Sequence, residues 1–286
     1  MGQQAKPALT TCDEETKPLI LFEDVSKSFA GARVAVQNID LKVAPREFVT
    51  LVGPSGCGKS TLLNMVAGIF APTSGRVLYN GTPVGALNRK VGYMTQADHL
   101  LPWRTVSGNI AVPLEIAGLP RRQIKARIDE LLALVGLDQF AASYPSQLSG
   151  GMRKRVALAR LIAGDPDTLL MDEPFGALDA QLRLLLQIEL RGLCRRLGKT
   201  VLFVTHDIDE AVALADRCAV FTGRPGTIAE YFMIDLPVER NLKSLRFDSK
   251  YQKECARLWR RLTPEIARVG TEDEPALLPF AQEATQ

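Results

Sequence analysis

The chain has 286 residues, 46% of them hydrophobic and 23% charged, and its formal net charge is +3 at pH 7. This composition is close to that of globular proteins and excludes a fibre or a wholly disordered chain. The charge balance is too even to indicate nucleic-acid binding by itself. The longest apolar stretches, such as 131–135, are much shorter than the roughly 20 residues that a membrane-spanning helix needs.

The five cysteines are unevenly spaced and include no C-x-x-C pair. This favours reduced thiols in a cytosolic protein over a disulfide framework or a zinc site. Residues 1–18 are polar and lack the apolar core of a signal peptide, so we expect a flexible leader there. The two histidines are His99 and His206, and any histidine chemistry must use one of them.

Short apolar runs typical of strands alternate with longer stretches in which apolar residues recur at helical spacing. The strand-like runs lie at 20–22, 34–36, 39–43, 48–52, 91–94, 169–171 and 201–204. The helical stretches lie at 62–69, 124–135, 182–197 and 251–262. This alternation predicts an α/β fold with a largely parallel sheet.

A glycine-rich segment between a predicted strand and a predicted helix matches the pattern G-x-x-x-x-G-K-[ST]. It consists of Gly53, Pro54, Ser55, Gly56, Cys57, Gly58, Lys59, Ser60 and Thr61. Glycines let successive backbone N–H groups turn inward and form an anion-binding nest at a helix N-terminus. We expect Lys59 to reach the β- and γ-phosphates of a nucleotide and the Ser60 hydroxyl to bind Mg²⁺. A glycine-rich turn with a chance lysine is the weaker alternative.

Polar residues follow three of the predicted strands. The run 169–171 ends in two adjacent carboxylates, Asp172 and Glu173. After a phosphate loop, Asp172 suits the Mg²⁺ shell and Glu173 suits a general base that activates water against the γ-phosphate. Two solvated acids at a strand end are the alternative. Gln96 is placed to sense Mg²⁺ and the attacking water, and His206 follows the strand near 201–204.

A second glycine-rich turn, Leu-Ser-Gly-Gly-Met at 148–152, begins a predicted helix and provides a second phosphate site. With it, the motif order resembles that of the ABC ATPases, specifically the nucleotide-binding subunit of an ABC transporter. The matching motifs are Walker A at 53–61, the Q-loop at Gln96, the signature at 148–152, Walker B at 168–173, the D-loop at 176–179 and the H-loop at His206.

The resemblance implies a fold and a domain division. The fold is an α/β P-loop ABC-ATPase core at about 19–240, with an N-terminal antiparallel β-subdomain and an inserted helical subdomain at about 97–160. Beyond the resemblance, the apolar residues at helical spacing in 251–262 predict that the segment 241–286 is a C-terminal helical extension whose helix ends before Pro264, with a frayed tail from residue 271.

The resemblance also implies a site shared between two copies. Phe29 is expected to stack on the adenine of ATP, with a core phenylalanine as the alternative. Two chains associate head to tail, so that Ser149, Gly150 and Gly151 of one copy complete the γ-phosphate cage of the other. Asp179 of the D-loop also belongs to the nucleotide-binding set. Catalysis is assigned to Glu173 with Gln96 and His206, and Mg²⁺ to Ser60, Gln96 and Asp172.

Three segments narrow the resemblance to the nitrate/taurine/alkanesulfonate importer branch. They are 96–106, the signature turn and Gly-Arg-Pro-Gly at 223–226. This implies an energy-coupling ATPase on the cytoplasmic face of the inner membrane, with separate permease subunits, an extracytoplasmic solute-binding protein and no nucleic-acid partner. The alternatives are a non-transport ABC ATPase with a regulatory, nucleic-acid or ribosome-associated role and, more weakly, a small-molecule kinase.

For several smaller features the sequence favours a structural role over a catalytic one. His99 is expected to lie in a surface loop, and Cys57 to be a small spacer in the phosphate loop. The basic run 153–155 is expected to form a solvated or phosphate-facing helix edge. The apolar residues 100–103 belong to no periodic element, and we expect them to form a surface patch that receives a partner.

Overall fold

The computed structural model describes residues 17–29, 33–176 and 178–272. The strands in these ranges are β1 (Ile20–Phe29), β2 (Arg33–Val43), β3 (Phe48–Val52), β4 (Ser74–Tyr79), β5 (Thr82–Pro83), β6 (Val91–Met94), β7 (Thr168–Asp172), β8 (Thr200–Val204), β9 (Arg217–Phe221) and β10 (Ile228–Met233). The helices are α1 (Lys59–Ala67), α2 (Val106–Ile116), α3 (Arg121–Val135), α4 (Gly150–Ala163), α5 (Ala180–Arg196), α6 (Ile208–Leu214) and α7 (Ser249–Glu272).

The strands form two sheets. An antiparallel sheet has the order β2-β1-β4-β5. The larger sheet has the order β10-β9-β3-β8-β7-β6 and is parallel except for the pairing of β10 with β9. Every residue of β3, β7, β8 and β9 is buried, as in sheets covered on both faces. The expected α/β fold with an N-terminal antiparallel sheet is confirmed.

Strand order places the predicted motifs at one edge of the parallel sheet. β8 lies between β3 and β7, and Val204 pairs with Leu51 on one side and Asp172 on the other. The carboxyl ends of adjacent parallel strands open at the same edge, which is where α/β proteins bind ligands. The phosphate loop therefore begins beside the residues that follow Asp172 and Val204.

Two hydrophobic cores cover the faces of the parallel sheet. On one face, α1 buries Leu62 and Val66 between the parallel and antiparallel sheets. On the other face, α2, α3 and α4 join a core that also includes α5, α6 and α7. The stretch 97–160 contains α2, α3 and most of α4, and its status as a separate subdomain stays a prediction.

Two local expectations were wrong. The runs 34–36 and 39–43, which we expected to be separate, belong to one strand, β2. This strand passes through Asn38, which adopts φ 50° at an irregular point in the β1–β2 register. Helix α7 continues through Pro264 to Glu272. A proline removes one helical hydrogen bond, but the buried side chains of Leu262 and Glu265 hold the helix on both sides of it.

Residues 1–16 and 273–286 lie outside the described ranges, so the predicted flexible leader and frayed tail stay predictions. Across the described parts of the chain, we find no helix with the length and hydropathy of a membrane span.

Candidate functional site

The phosphate loop, residues 53–58, joins the buried strand β3 to the first turn of α1. Gly58 caps α1 with φ 97°, and a Cβ there would lie 2.3 Å from Val36 Cγ1. Gly56 has φ 72°, and a Cβ there would lie 2.1 Å from Nη2 of Arg224. Both positions favour glycine because L-residues rarely adopt a positive φ, and at Gly58 the neighbouring Val36 also leaves no room for a side chain.

The Lys59 ammonium is held against the inside of this loop. It donates to the carbonyls of Gly53 at 2.8 Å and Pro54 at 2.7 Å, and the residue is only 5% exposed. Both partners are uncharged carbonyls, and the opposite charge that acts on Lys59 comes from the Asp172 carboxyl. An ammonium held on the inside of a glycine-rich loop at a helix N-terminus suits a phosphate, so the loop fits a nucleotide.

Cys57 is a packed spacer within the same loop. The residue is fully buried, with Sγ 3.6 Å from the Lys59 ammonium. Burial raises the pKa of the Cys57 thiol above its ordinary value, although the Lys59 charge opposes this effect. The thiol is therefore mostly protonated near neutral pH, which agrees with the spacer interpretation.

The segment that follows β9 supports the outer side of the phosphate loop. Arg224 Nε donates to the Gly56 carbonyl at 2.8 Å, and a Cβ at Gly226 would lie 1.8 Å from the Cys57 carbonyl oxygen. The carboxylate of Glu265 on α7 accepts from the Gly223 N–H at 3.3 Å. The sequence analysis used 223–226 only as a branch resemblance and missed this support. The glycines and the proline at 223–226 were the signal in the sequence that could have indicated a tight turn there.

Asp172 and Ser60 provide oxygen atoms beside the phosphate loop. Asp172 is 7% exposed, and burial raises the pKa of its carboxyl, while a hydrogen bond from the Ser60 hydroxyl and the charge of Lys59 oppose that shift. Mg²⁺ prefers oxygen ligands and is commonly held by one or two protein groups together with substrate phosphates. The described residues contain no cluster of three or more His, Cys, Asp or Glu side chains suited to a metal. The donor set therefore fits a phosphate-bound Mg²⁺.

Glu173 lies between the two other predicted catalytic residues. Its Oε1 is 3.3 Å from His206 Nδ1, and its Oε2 accepts from Gln96 Nε2 at 3.2 Å. The Glu173 backbone has φ 49°, a conformation that is uncommon outside glycine. Its N–H donates to the Val204 carbonyl at 3.0 Å, which fixes this turn against β8. The structure thus brings Gln96, Glu173 and His206 together.

Contacts from α5 and α6 hold the segment after His206. Asp207 caps α6 by accepting from the Glu210 N–H at 3.1 Å, and the Glu210 carboxylate accepts from Thr205 Oγ1 at 2.7 Å. Arg183 on α5 donates to Asp207 Oδ2 at 3.1 Å and to the Leu178 carbonyl at 3.0 Å. This link between the D-loop and the H-loop was missed, because Arg183 lies in an ordinary helical sequence.

The signature turn and the D-loop cap helices of their own. Exposed Ser149 caps α4 by accepting from the Met152 N–H at 3.2 Å, and Asp179 caps α5 by accepting from the Leu182 N–H at 3.0 Å. A Cβ at Gly151 would lie 3.2 Å from Leu178. Among the described residues, no hydrogen bond joins Ser149 to the phosphate loop of the same chain.

Phe29 lies at the edge of the antiparallel sheet. It is 45% exposed and packs edge-on against Phe70, with ring centroids 5.4 Å apart. It pairs with Arg33, three positions from Val36, which lies against Gly58. At about 3.3 Å per residue this places Phe29 roughly 10 Å from the phosphate loop. An exposed ring at that position agrees with stacking on a base better than with a core role.

The basic run 153–155 is not the solvated or phosphate-facing edge that we expected. Lys154 is 7% exposed, and its ammonium contacts the Gln96 carbonyl. Arg155 donates to the Val135 carbonyl at 2.9 Å, and Arg153 to the Leu148 carbonyl at 2.7 Å. These cations satisfy backbone carbonyls of neighbouring segments, because the loops after β6 and α3 fold against α4.

A parallel sheet whose edge carries a phosphate loop, two acids, a glutamine and a histidine defines a P-loop ATPase. Residues 36–176 match the family model described as ABC transporter. The uncharacterized ABC transporter ATP-binding protein MJ0412 of Methanocaldococcus jannaschii is 46% identical over 244 residues, which are 84% of this chain and 91% of that protein. The chain therefore belongs to the ABC transporter ATP-binding family, and the identification made from the motifs is confirmed.

Other relatives carry more specific names. The taurine import ATP-binding protein TauB of Pseudomonas putida is 45% identical over 218 residues, covering 76% of this chain and 83% of TauB. The aliphatic sulfonates import ATP-binding protein SsuB 1 of Xanthomonas axonopodis pv. citri is 47% identical over 213 residues, covering 74% and 84%. A solved dimeric structure of the ATP-binding cassette MJ0796 in a post-hydrolysis state, bound to ADP and Pi, superposes with a TM-score of 0.70 at 31% identity, covering 76% of this chain and 100% of that chain.

Proposed function

We propose that this chain is the ATP-hydrolysing, energy-coupling subunit of an importer for small solutes of the nitrate, taurine and alkanesulfonate type. The observation that carries the proposal is the position of Glu173 between Gln96 and His206, at the sheet edge where the phosphate loop begins. The printed names of TauB and SsuB 1 support the solute class.

In this proposal each site residue has a defined task. The loop 53–61 wraps the phosphates of ATP, with Lys59 on the β- and γ-phosphates. Ser60, Asp172 and Gln96 would hold Mg²⁺, which would neutralise phosphate charge. Glu173 accepts a proton from the attacking water, while His206 holds the Glu173 carboxylate in place. Phe29 stacks on the adenine.

The proposal requires two copies of the chain. The exposed signature turn at Ser149 makes no hydrogen bond to its own phosphate loop within the described residues, so its glycines and α4 N-terminus are available to a second nucleotide. In a head-to-tail dimer, Ser149, Gly150 and Gly151 of one chain, with Asp179 nearby, cover the ATP held by the other. The dimeric structures of the MJ0796 cassette support this arrangement.

A surface next to Gln96 suits the permease subunits. Trp103 is 71% exposed and Ile116 is 81% exposed, whereas Leu100 packs against the core. Arg104 follows Trp103, and Glu115 precedes Ile116. An ion pair of 2.7 Å between Arg104 and Glu115 holds the two segments together. A groove of about 770 Å³ lined by β6, α2 and α4 lies alongside. We place the chain on the cytoplasmic face of the membrane through this surface, with a solute-binding protein joined through the permease.

Co-purification tests the proposal against a non-transport ATPase. Tagged chain expressed in its native cell is expected to recover a multispan membrane protein. In the reconstituted complex with its binding protein, taurine, alkanesulfonates and nitrate are each tested for stimulation of ATP hydrolysis. Recovery of ribosomes or DNA without a membrane protein would favour the alternative function. ATPase activity unchanged by the whole panel would reject the solute class.

A further inference from the structure

Three basic residues of α4 hold the loop that carries Gln96. Lys154 Nζ donates to the Gln96 carbonyl and lies 3.2 Å from Asp98 Oδ1. Arg153 Nε lies 3.5 Å from the other oxygen of the Asp98 carboxylate. We call Arg153, Lys154 and Arg160 the basic clamp.

Arg160 completes the basic clamp by binding backbone carbonyls further along the same loop. Its two Nη atoms donate to the carbonyls of Asp98 at 2.9 Å and His99 at 2.8 Å. His99 has φ 44°, so the chain turns sharply here and exposes consecutive carbonyls to one cation. The residues from Gln96 to His99 have no regular structure, and α4 therefore supplies the hydrogen bonds that fix them.

Lys154 is the member of the clamp that bears on the catalytic groups. Its side chain is 8% exposed, so its charge acts in a largely desolvated region. The Gln96 residue that it holds donates from its side chain to Glu173. The Lys154 charge also favours the ionised form of Asp172. One buried ammonium therefore acts on both the loop of Gln96 and Asp172.

The other end of α4 is the signature turn. Ser149 caps the helix, and Lys154 lies little more than one helical turn beyond it. A helix transmits displacement of its N-terminus along its axis because its backbone hydrogen bonds resist bending. A movement of the Ser149 turn is therefore carried to Lys154 and from there to Gln96.

We propose that Lys154 is a positioning residue that couples the two nucleotide sites of the dimer. When the Ser149 turn of one chain engages the ATP held by its partner, Lys154 sets Gln96 against Glu173 in its own chain. Each site then hydrolyses ATP efficiently only when the other interface has closed. This inference rests on the head-to-tail dimer of the proposed function.

The test compares Lys154→Met with Arg155→Met in the full chain. Arg155 is the next residue of α4, but it bonds the carbonyls at the end of α3 and not the Gln96 loop. For Lys154→Met we expect kcat for ATP to fall about tenfold or more, the order for losing a hydrogen bond from a charged group. KM and the affinity of the isolated chain for a fluorescent ATP analogue should stay within about twofold of the parent. Arg155→Met should keep the parent kcat.

Two further variants separate positioning from folding. Lys154→Arg keeps the cation and should recover most of the lost kcat. Asp98→Asn should lower kcat, and its effect should add less than fully to that of Lys154→Met, because both variants lose the Lys154–Asp98 ion pair. If Lys154→Met does not fold, Asp98→Asn and Lys154→Arg still test the contact.

Opposite results overturn the inference. It is wrong if folded Lys154→Met turns over at the parent rate, if Arg155→Met loses as much kcat, or if the two effects at Asp98 and Lys154 simply add. A parent chain that neither hydrolyses ATP nor dimerises with it would instead reject the proposed function, whatever Lys154 does.

Discussion

Glu173 and His206 face each other across neighbouring strands, with the carboxylate 3.3 Å from the imidazole Nδ1. The residue before Glu173 ends β7 and pairs with the last residue of β8, and His206 follows two positions later. The sheet register therefore determines this distance. The Glu173 side chain is 22% exposed and that of His206 is 62% exposed, so water can reach the pair.

Replacing Glu173 with glutamine tests the general base. Glu173→Gln keeps the side-chain volume and a hydrogen-bonding oxygen but cannot accept a proton from water. We expect kcat to fall about 10²- to 10⁴-fold, the usual contribution of a general base, with ATP binding retained. Since the nucleotide is not consumed, the variant should accumulate as an ATP-bound dimer. Phosphate release and light scattering measure both effects.

The control is the exposed Glu189 on α5. Glu189→Gln removes the same charge far from the sheet edge and should hydrolyse ATP at the parent rate. Parent-level turnover by Glu173→Gln itself would show that another group activates the water.

The parts of the site that the sequence predicts are those encoded within a few residues. β3 is a short run of apolar residues apart from Thr50, and the glycines after it leave little alternative to an anion-binding loop. Asp172 and Glu173 directly follow the apolar run 169–171 of β7. Each pattern is local, so one sequence suffices to place it, and the alternation of such runs with helical stretches predicts the α/β class.

Contacts between distant segments do not follow from local spacing. Lys154 belongs to a basic run that predicts an exposed helix edge, yet the Gln96 loop folds over it and buries it. Pro264 predicts a helix end, yet packing of Leu262 and Glu265 keeps α7 intact. Arg224 supports the phosphate loop only because β9 pairs with β3. In each case tertiary packing outweighs a local preference.

Lys59→Ala is expected to weaken nucleotide binding. The variant loses the charge that meets the phosphates, and it also loses the two hydrogen bonds that Lys59 donates to the loop carbonyls. Affinity for a fluorescent ATP analogue should fall about tenfold or more, the order for hydrogen bonds to a charged group. Lys125→Ala removes a cation from the exposed surface of α3 and should bind like the parent. Equal affinities for parent and Lys59→Ala would contradict the assignment.

Cys57 should resist thiol reagents in the native chain. Its fully buried side chain and raised pKa leave neither access nor thiolate, so a bulky maleimide should not react with Cys57 in the folded chain. Because the pKa of Cys57 is raised, any labelling should increase only at a pH above the one at which an ordinary thiol ionises. Peptide mass spectrometry should find modification after denaturation. Rapid native labelling of Cys57 that ATP suppresses would contradict this.

Mixing two inactive variants tests the shared site. In a mixed head-to-tail dimer of Lys59→Ala and Ser149→Arg, one interface carries both lesions and the other carries neither. Hydrolysis by the mixture should therefore exceed that of either variant alone, but it should stay well below the parent level, because the intact site lacks a closed partner interface. Loss of the Ser149 cap costs α4 about 1 kcal/mol, so melting temperatures must show that both chains fold. Activity no higher than the pure variants, with mixed dimers verified by mass, would reject the trans arrangement.

Trp103→Ala tests the permease surface. The indole is 71% exposed, follows the loop of Gln96 and lies beside an exposed residue of α2, so a change at the nucleotide can move whatever binds there. Buried tryptophan anchors at interfaces contribute about 2 kcal/mol or more on truncation, which weakens binding roughly 30-fold. The variant should lose permease in co-purification and lose transport, while the isolated chain keeps its melting temperature and ATP affinity. Trp259→Ala, at a 57% exposed position on α7, is the matched control and should keep the permease. If Trp103→Ala unfolds or loses ATP binding in the isolated chain, Trp103 stabilises the fold and the docking surface must lie elsewhere.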